Sequence, residues 1–195
     1  MKRLITFALL LVSMAAGAQT IMELNHNGAY EYKDVVKIDS TTAQQLYDRA
    51  MMALNDLLGA ENLKRSIDYN DRNAATIVVK GRQFGWKKNY VLGVGWDVYI
   101  DWVVKIRCKD GRAQVACTVP SITSVHNKQN VHGTTQMNVA IAAIEAEKAK
   151  GWKKSREEAV EKELNTIKEL ANRIVTNITT TMLSNAAADA ADDDF

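Results

Sequence analysis

Few residues of this 195-residue chain have the types and spacing that catalysis or metal binding requires. Of its three histidines, His126 and His132 lie six residues apart and His26 stands alone, without the paired cysteines or acidic ligands that would complete a zinc site. The grouped acids fall on the polar face of one predicted helix: Glu157, Glu158, Glu161 and Glu163. No nucleophile-elbow, zinc-protease or phosphate-loop motif is present. The sequence therefore predicts no catalytic residue, metal site or cofactor.

Basic side chains are expected to gather on one face of a β-sheet, because every second residue of a strand points to the same side. The candidate ligand-binding cations are Lys80, Arg82, Lys105, Arg107 and Arg112, accompanied by Lys33, Lys37 and Lys109. Only Glu31 and Asp101 oppose them in these strands. Such a surface attracts an anionic lipid headgroup, glycan or protein partner. The alternative is that the lysines only discourage edge-to-edge pairing of sheets.

A segment rich in aromatic residues and glycine is the second candidate for ligand binding. Trp86, Tyr90 and Trp96 lie in or beside a predicted loop from Gly85 to Gly95. Their rings either present apolar area to a partner or cover one end of the core.

The clearest sheet signal is a hairpin over residues 97–119, where apolar and polar residues alternate on both sides of Asp110-Gly111. This dipeptide predicts a two-residue type I′ turn. The resulting register puts Cys108 and Cys117 on the buried face but in separate rows, too far apart for a disulfide. We therefore expect both cysteines to be free core residues.

Helices are expected before and after the central strands. Asp39-Ser40-Thr41 predicts the cap of a helix that ends at Leu58. Residues 121–136 are predicted to be irregular and residues 137–150 helical, and apolar residues recur at helical spacing from Val160 to Met182. The order strand, helix, four strands, helix predicts an α+β fold with an antiparallel sheet and helices on one face.

The N-terminal 18 residues have the features of a signal peptide. Lys2 and Arg3 precede the apolar run Ile5–Val12, and Ala16-Gly17-Ala18 offers a cleavage site before Gln19. The apolar run is much shorter than the roughly 20 residues that a membrane span needs. We therefore expect an exported, periplasmic or extracellular protein without a transmembrane anchor.

Charge argues against nucleic acid as a partner. Without Lys2 and Arg3, the 25 basic residues of the chain become 23 and match its 23 acidic ones. Several acids lie in a predicted disordered tail, residues 185–195: Asp189, Asp192, Asp193 and Asp194. The predicted single domain, residues 19–184, is thus only mildly basic, which is too little for a nucleic-acid interface.

Three segments together resemble a family of signal-bearing bacterial domains of unknown function with a TATA-box-binding-protein-like fold. They are Tyr30–Asp39 with the helix that follows, Thr76–Gly81, and Val98–Val119 with its Lys109-Asp110-Gly111-Arg112 turn. The resemblance covers roughly residues 24–125 and leaves a helical C-terminal part, residues 137–184. It implies a curved antiparallel sheet backed by helices, and it implies no reaction and no functional residues.

The expected function is therefore a soluble binding or interaction module of the cell envelope, with an anionic ligand or a protein partner. Two alternatives remain open: a structural subunit of an envelope assembly, and an enzyme with a dispersed active site. An open basic sheet face would favour binding, and a deep polar cleft would favour the enzyme. An exposed apolar stripe on residues 137–150 would favour assembly.

Overall fold

The computed structural model describes residues 23–24, 29–89, 95–126, 134–138 and 154–192. Its strands are β1 (Glu23–Leu24), β2 (Tyr30–Lys37), β3 (Ile67–Asp71), β4 (Thr76–Asn89), β5 (Gly95–Lys109), β6 (Arg112–His126) and β7 (Thr134–Asn138). Its helices are α1 (Ala43–Leu58), α2 (Ala60–Ser66) and α3 (Lys154–Asp192). None of the helices in these ranges is both long and apolar enough to cross a bilayer.

All strands join one antiparallel sheet in the order β1-β2-β6-β5-β4-β3, and β7 lies along the remaining edge of β6. β2 pairs with the first half of β6, up to Val119, and β7 pairs with Ser121–Val125. The helices α1 and α3 pack their buried residues against one face of this sheet. The predicted α+β class and element order are therefore confirmed, with β1, β7 and α2 as additions.

The hairpin of β5 and β6 has the predicted register from its turn to the pair Val103 and Thr118. The alternate residues of β5 facing the helices, from Val98 to Cys108, are all buried. A slip of one residue would move this whole apolar set into solvent, so the burial pattern fixes the register. Both cysteines are buried and free, as predicted.

The turn between β5 and β6 is not the predicted type I′. Gly111 has φ +73°, whereas Asp110 is not among the residues with positive φ, which is the pattern of a type II turn. The backbone of Gly111 is bonded to the β2–α1 connection: its N–H donates to Thr41 O at 2.8 Å, and its carbonyl accepts from Ile38 N at 3.0 Å. These bonds fix the turn geometry.

Two segments predicted to be irregular are partly strands. Residues Gly85–Asn89 extend β4, with Gly85 at a bulge between Phe84 and Trp86, so this glycine marks a bulge and not a loop. Residues 121–126 extend β6 and residues 134–138 form β7. Serine and threonine on the side of β6 away from the helices make its sequence polar, although Ser121, Thr123 and, on the other side, Ile122 are all buried.

The helix boundaries also differ from prediction. Thr42, and not residues 39–41, caps α1 through a reciprocal capping box with Gln45. The helix α3 continues past the predicted start of disorder at residue 185 and ends at Asp192, because alanine is the strongest helix former. Of the helix predicted over 137–150, the first two residues belong to β7 and the rest lie outside the described residues.

Candidate functional site

The strand register brings the predicted cations onto one surface, the face of the sheet opposite α1 and α3, which we term the open face. Lys105 of β5 lies between Ala116 of β6 and Val78 of β4, and Lys33 of β2 lies beyond Ala116. One row nearer the turn, Arg107 lies beside Gln114 of β6. The open face therefore collects cations from several separate strands, as the alternation predicts.

Two of the predicted ligand-binding cations are neutralised within the sheet. Lys80 Nζ lies 2.7 Å from Asp68 Oδ1, and Arg82 Nε lies 2.6 Å from Asp101 Oδ1. Lys33 likewise contacts its strand neighbour Glu31, at 3.1 Å. These pairs lower the positive potential of the half of the open face on which they lie.

Asp101 is also the centre of a polar network that the sequence did not reveal. Its Oδ2 accepts hydrogen bonds from Ser121 Oγ at 3.1 Å and Thr123 Oγ1 at 2.7 Å. Arg82 Nη2 donates to Thr123 Oγ1 at 3.1 Å, which closes the network. It lies where the β5–β6 register shifts, between Asp101 and Val103. The carboxylate, the guanidinium and the two hydroxyls bond to one another. The network therefore stabilises the packing of β4, β5 and β6, and it offers no free nucleophile.

The remaining cations surround a depression of about 270 Å³ at the turn end of the open face. This turn-end depression is lined by Val35, Arg107, Lys109, Arg112 and Gln114. No carboxylate lines it, and within the described ranges none of its three cations has an ion-pair partner. Lys105, one row away, is also without such a partner there. The positive charge of the open face is therefore concentrated at this end.

The acid nearest to the depression in sequence is directed elsewhere. Asp110 lies in the turn between Lys109 and Arg112, and its Oδ1 accepts a hydrogen bond from the amide of Ala43 at 2.8 Å. This carboxylate therefore serves the N-terminus of α1, where a negative charge is favourable.

The geometry of the depression suits an anionic group. Arg107 Nη2 donates to Gln114 Oε1 at 3.1 Å, which orients the guanidinium. A planar guanidinium presents paired donors that match carboxylate and phosphate oxygens. Val35 adds an apolar contact, since 46% of its surface is exposed. The described part of the chain contains no group of histidine, cysteine, aspartate or glutamate side chains that could hold a metal ion.

Two of the three aromatic candidates, Trp86 and Trp96, lie in strands. Trp86 lies in β4 and packs against the core, with its Nε1 buried and without a hydrogen-bond partner in the described structure. Trp96 lies in β5, opposite Lys88, and Tyr90 falls outside the described residues. Of the two interpretations of these rings, Trp86 therefore fits the one in which they cover the core, because the strand turns it toward the helices. On the open face, Phe84 instead packs edge-on against Tyr99, with ring centroids 5.9 Å apart.

Comparison with known proteins shows similarity in fold and to one family, and no activity. Residues 32–123 match the family described as "Domain of unknown function (DUF4468) with TBP-like fold". A crystal structure of a DUF4468 family protein from Bacteroides ovatus ATCC 8483 has a TM-score of 0.54 at 13% identity, covering 83% of this chain and 90% of that one. A TBP-like protein from Parabacteroides distasonis ATCC 8503 has a TM-score of 0.50 at 14% identity, covering 80% and 96%. No curated protein matches the chain.

Proposed function

We propose that this chain, whose residues 32–123 match the DUF4468 family with a TBP-like fold, is a binding module that takes an anionic partner at its turn-end depression. The family description names no activity, so the proposal comes from the geometry of this chain. The observation that carries it is the segregation of charge on the open face. Lys80 and Arg82 are paired with acids, whereas Arg107, Lys109 and Arg112 line a depression without one.

Electrostatics favours an incoming anion at this place. Like charges that share a depression repel one another, and a carboxylate or phosphate removes that repulsion while it gains charge-assisted hydrogen bonds. Gln114 already holds the guanidinium of Arg107, so less conformational entropy is lost on binding. The surrounding neutral pairs direct the anion to the turn end.

Binding is a better account of the depression than catalysis. A catalytic site needs a nucleophile or an acid–base pair within reach of a bound substrate. The groups around the depression are two guanidiniums, an ammonium, an amide and an isopropyl group. They can orient an anion and neutralise its charge.

Location in the cell envelope is part of the proposal and is supported by residues 1–18 of the sequence. Signal peptidase favours small residues at the positions occupied by Ala16 and Ala18, so the exported protein should begin at Gln19. N-terminal sequencing of the protein recovered from the envelope fraction tests this. Recovery in the cytoplasm with an intact N-terminus would contradict export.

The binding site is tested with the Arg107→Ala/Arg112→Ala variant. Probes are phosphatidylglycerol vesicles, a heparin oligosaccharide and a poly-glutamate peptide, each titrated at low and high salt. We expect the variant to bind at least one probe about tenfold or more weakly than the parent, a loss of about 1.4 kcal/mol in binding free energy. We also expect high salt to weaken binding of that probe by the parent. The matched control is Lys64→Ala/Arg65→Ala on exposed positions of α2, which removes the same charge elsewhere. If parent and variant bind all probes alike, or the parent binds none, the proposed site is wrong.

A further inference from the structure

The chain itself carries an acidic segment that complements the turn-end depression. Four aspartates lie within its last seven positions: Asp189, Asp192, Asp193 and Asp194. They are opposite in charge to the cations at or next to the depression, which are Lys37, Lys105, Arg107, Lys109 and Arg112. Complementary charges of this kind select partners and accelerate their association.

The first two of these aspartates are carried on a helix that continues beyond its packed part. The helix α3 has 39 residues and so spans about 58 Å. Its last buried side chain among those described is Met182, while the helical backbone continues to Asp192, about 15 Å further. Two neighbouring residues, Leu183 and Ser184, are already exposed.

The acids at this helix end are unfavourably placed for the helix alone. A helix C-terminus carries a partial negative charge, which basic side chains normally offset. The last turn of α3 contains no basic residue, and its aspartates add to the negative potential. Cations supplied from outside the helix would therefore stabilise this end.

Those cations lie on the opposite side of the sheet within one chain. Ile178 and Met182 hold α3 in the core on the helix-covered face, whereas Arg107 and Arg112 are on the open face. The sheet thus separates the helix from the depression of its own chain. A second copy is under no such restriction.

We propose that the acidic end of α3 in one copy binds the turn-end depression of a second copy. The inference rests on the proposed function, because it names an occupant for the same site. The two surfaces are different patches of the molecule, so the contact is heterologous and each copy offers one of each. Copies therefore associate head to tail, into rings or chains, and external anions compete with this contact.

Sedimentation velocity of the full mature chain at low salt, over a range of protein concentrations, tests the inference. The parent should associate, and both Arg107→Ala/Arg112→Ala and Asp189→Asn/Asp192→Asn/Asp193→Asn/Asp194→Asn should associate about tenfold or more weakly. An equimolar mixture of the two variants should form heterodimers but no larger species, because each retains one intact surface. The control Lys64→Ala/Arg65→Ala should behave as the parent.

Two outcomes overturn the inference. One is a parent that stays monomeric at low salt, and the other is a four-asparagine variant that associates as strongly as the parent. The probe titrations separate this failure from that of the proposed function. A monomeric parent whose anion binding still depends on Arg107 and Arg112 would leave the site in place with a different occupant.

Discussion

The carboxylate of Asp110, in the β5–β6 turn, accepts a hydrogen bond from the backbone amide of Ala43 at 2.8 Å, although 67 residues separate the two. Ala43 is the first residue of α1, where amide groups have no partner within the helix. The N-cap Thr42 satisfies the amide of Gln45, and Asp110 satisfies that of Ala43. The turn that presents Lys109 and Arg112 is therefore attached to the helix layer through its own aspartate.

Replacing Asp110 by alanine should lower the free energy of unfolding by about 0.5–2 kcal/mol, the usual cost of losing a side-chain helix cap. Urea denaturation followed by circular dichroism measures this. Asp110→Asn is the matched control, since its amide oxygen still accepts the Ala43 hydrogen bond, and it should lose less. Equal losses in the two variants would show that the charge matters and the hydrogen bond does not.

A second cross-strand relationship, between Gly81 and Trp102, gives a prediction about the core. These residues are direct partners on β4 and β5, and a β-carbon at position 81 would overlap the indole ring. Gly81→Ala should therefore cost about 1–3 kcal/mol through overpacking. Gly85→Ala is the control, because its β-carbon would lie 3.1 Å from Cγ1 of Ile100 and 3.3 Å from the carbonyl oxygen of Val98, which are tight contacts but not overlaps. Thermal unfolding in which Gly85→Ala loses as much as Gly81→Ala would contradict this account.

The hairpin register could be predicted because it depends on local information. Alternation with a period of two and the Asp110-Gly111 turn fix which residues face each other, and the structure agrees from the turn to Val103 and Thr118. The same alternation correctly placed the cations on one face. It did not place Arg82 beside its partners, because these come from β5 and β6 and depend on a register shift that no local pattern signals.

The aromatic segment shows the opposite error, in which a local signal misleads. The local sequence around Gly85 favours a loop, yet β5 pairs with β4 as far as Asn89. Pairing over this length outweighs the low strand propensity of one glycine, which becomes a bulge. The Asp101 network and the unpaired state of Arg107 are tertiary properties of the same kind.

The two cysteines provide a prediction about pH. Burial raises the pKa of the Cys108 thiol from 9.0 to about 11 and that of Cys117 to about 12. Above pH 9.0 the folded protein therefore retains thiol protons that the unfolded chain releases. The contribution of the buried thiols to the free energy of unfolding is complete below pH 9.0 and decreases as the pH rises toward the thiol pKa values of the folded state. The unfolding free energy of the parent should fall more steeply above pH 9.0 than that of Cys108→Ala/Cys117→Ala. Parallel pH profiles for the two proteins would refute it.

The same burial predicts that neither thiol reacts in the folded state. Both cysteines should react slowly with a thiol-specific disulfide reagent in buffer near neutral pH. In denaturant without reductant, the same reagent should detect two free thiols per chain. Rapid reaction of one thiol in buffer would place that cysteine at the surface.

Asp101 and Arg107 distinguish charge that maintains the fold from charge that is free for a partner. Asp101→Ala removes the acceptor of Ser121 and Thr123, of which Thr123 is only 1% exposed, and it leaves Arg82 without its carboxylate. Leaving a buried hydroxyl such as that of Thr123 without its acceptor costs about 1–3 kcal/mol. Arg107→Ala, at an exposed site without an ion pair in the described structure, should change stability by less than about 0.5 kcal/mol.

The two variants should also move anion binding in opposite directions. Asp101→Ala releases the positive charge of Arg82 on the open face, so the poly-glutamate peptide should bind more tightly at low salt, and added salt should remove the gain. Arg107→Ala should weaken the same binding while the unfolding curve stays unchanged. If Asp101→Ala leaves both stability and binding as in the parent, then Asp101 does not neutralise Arg82 in solution. The concentration of positive charge at the turn end would then lose its structural basis.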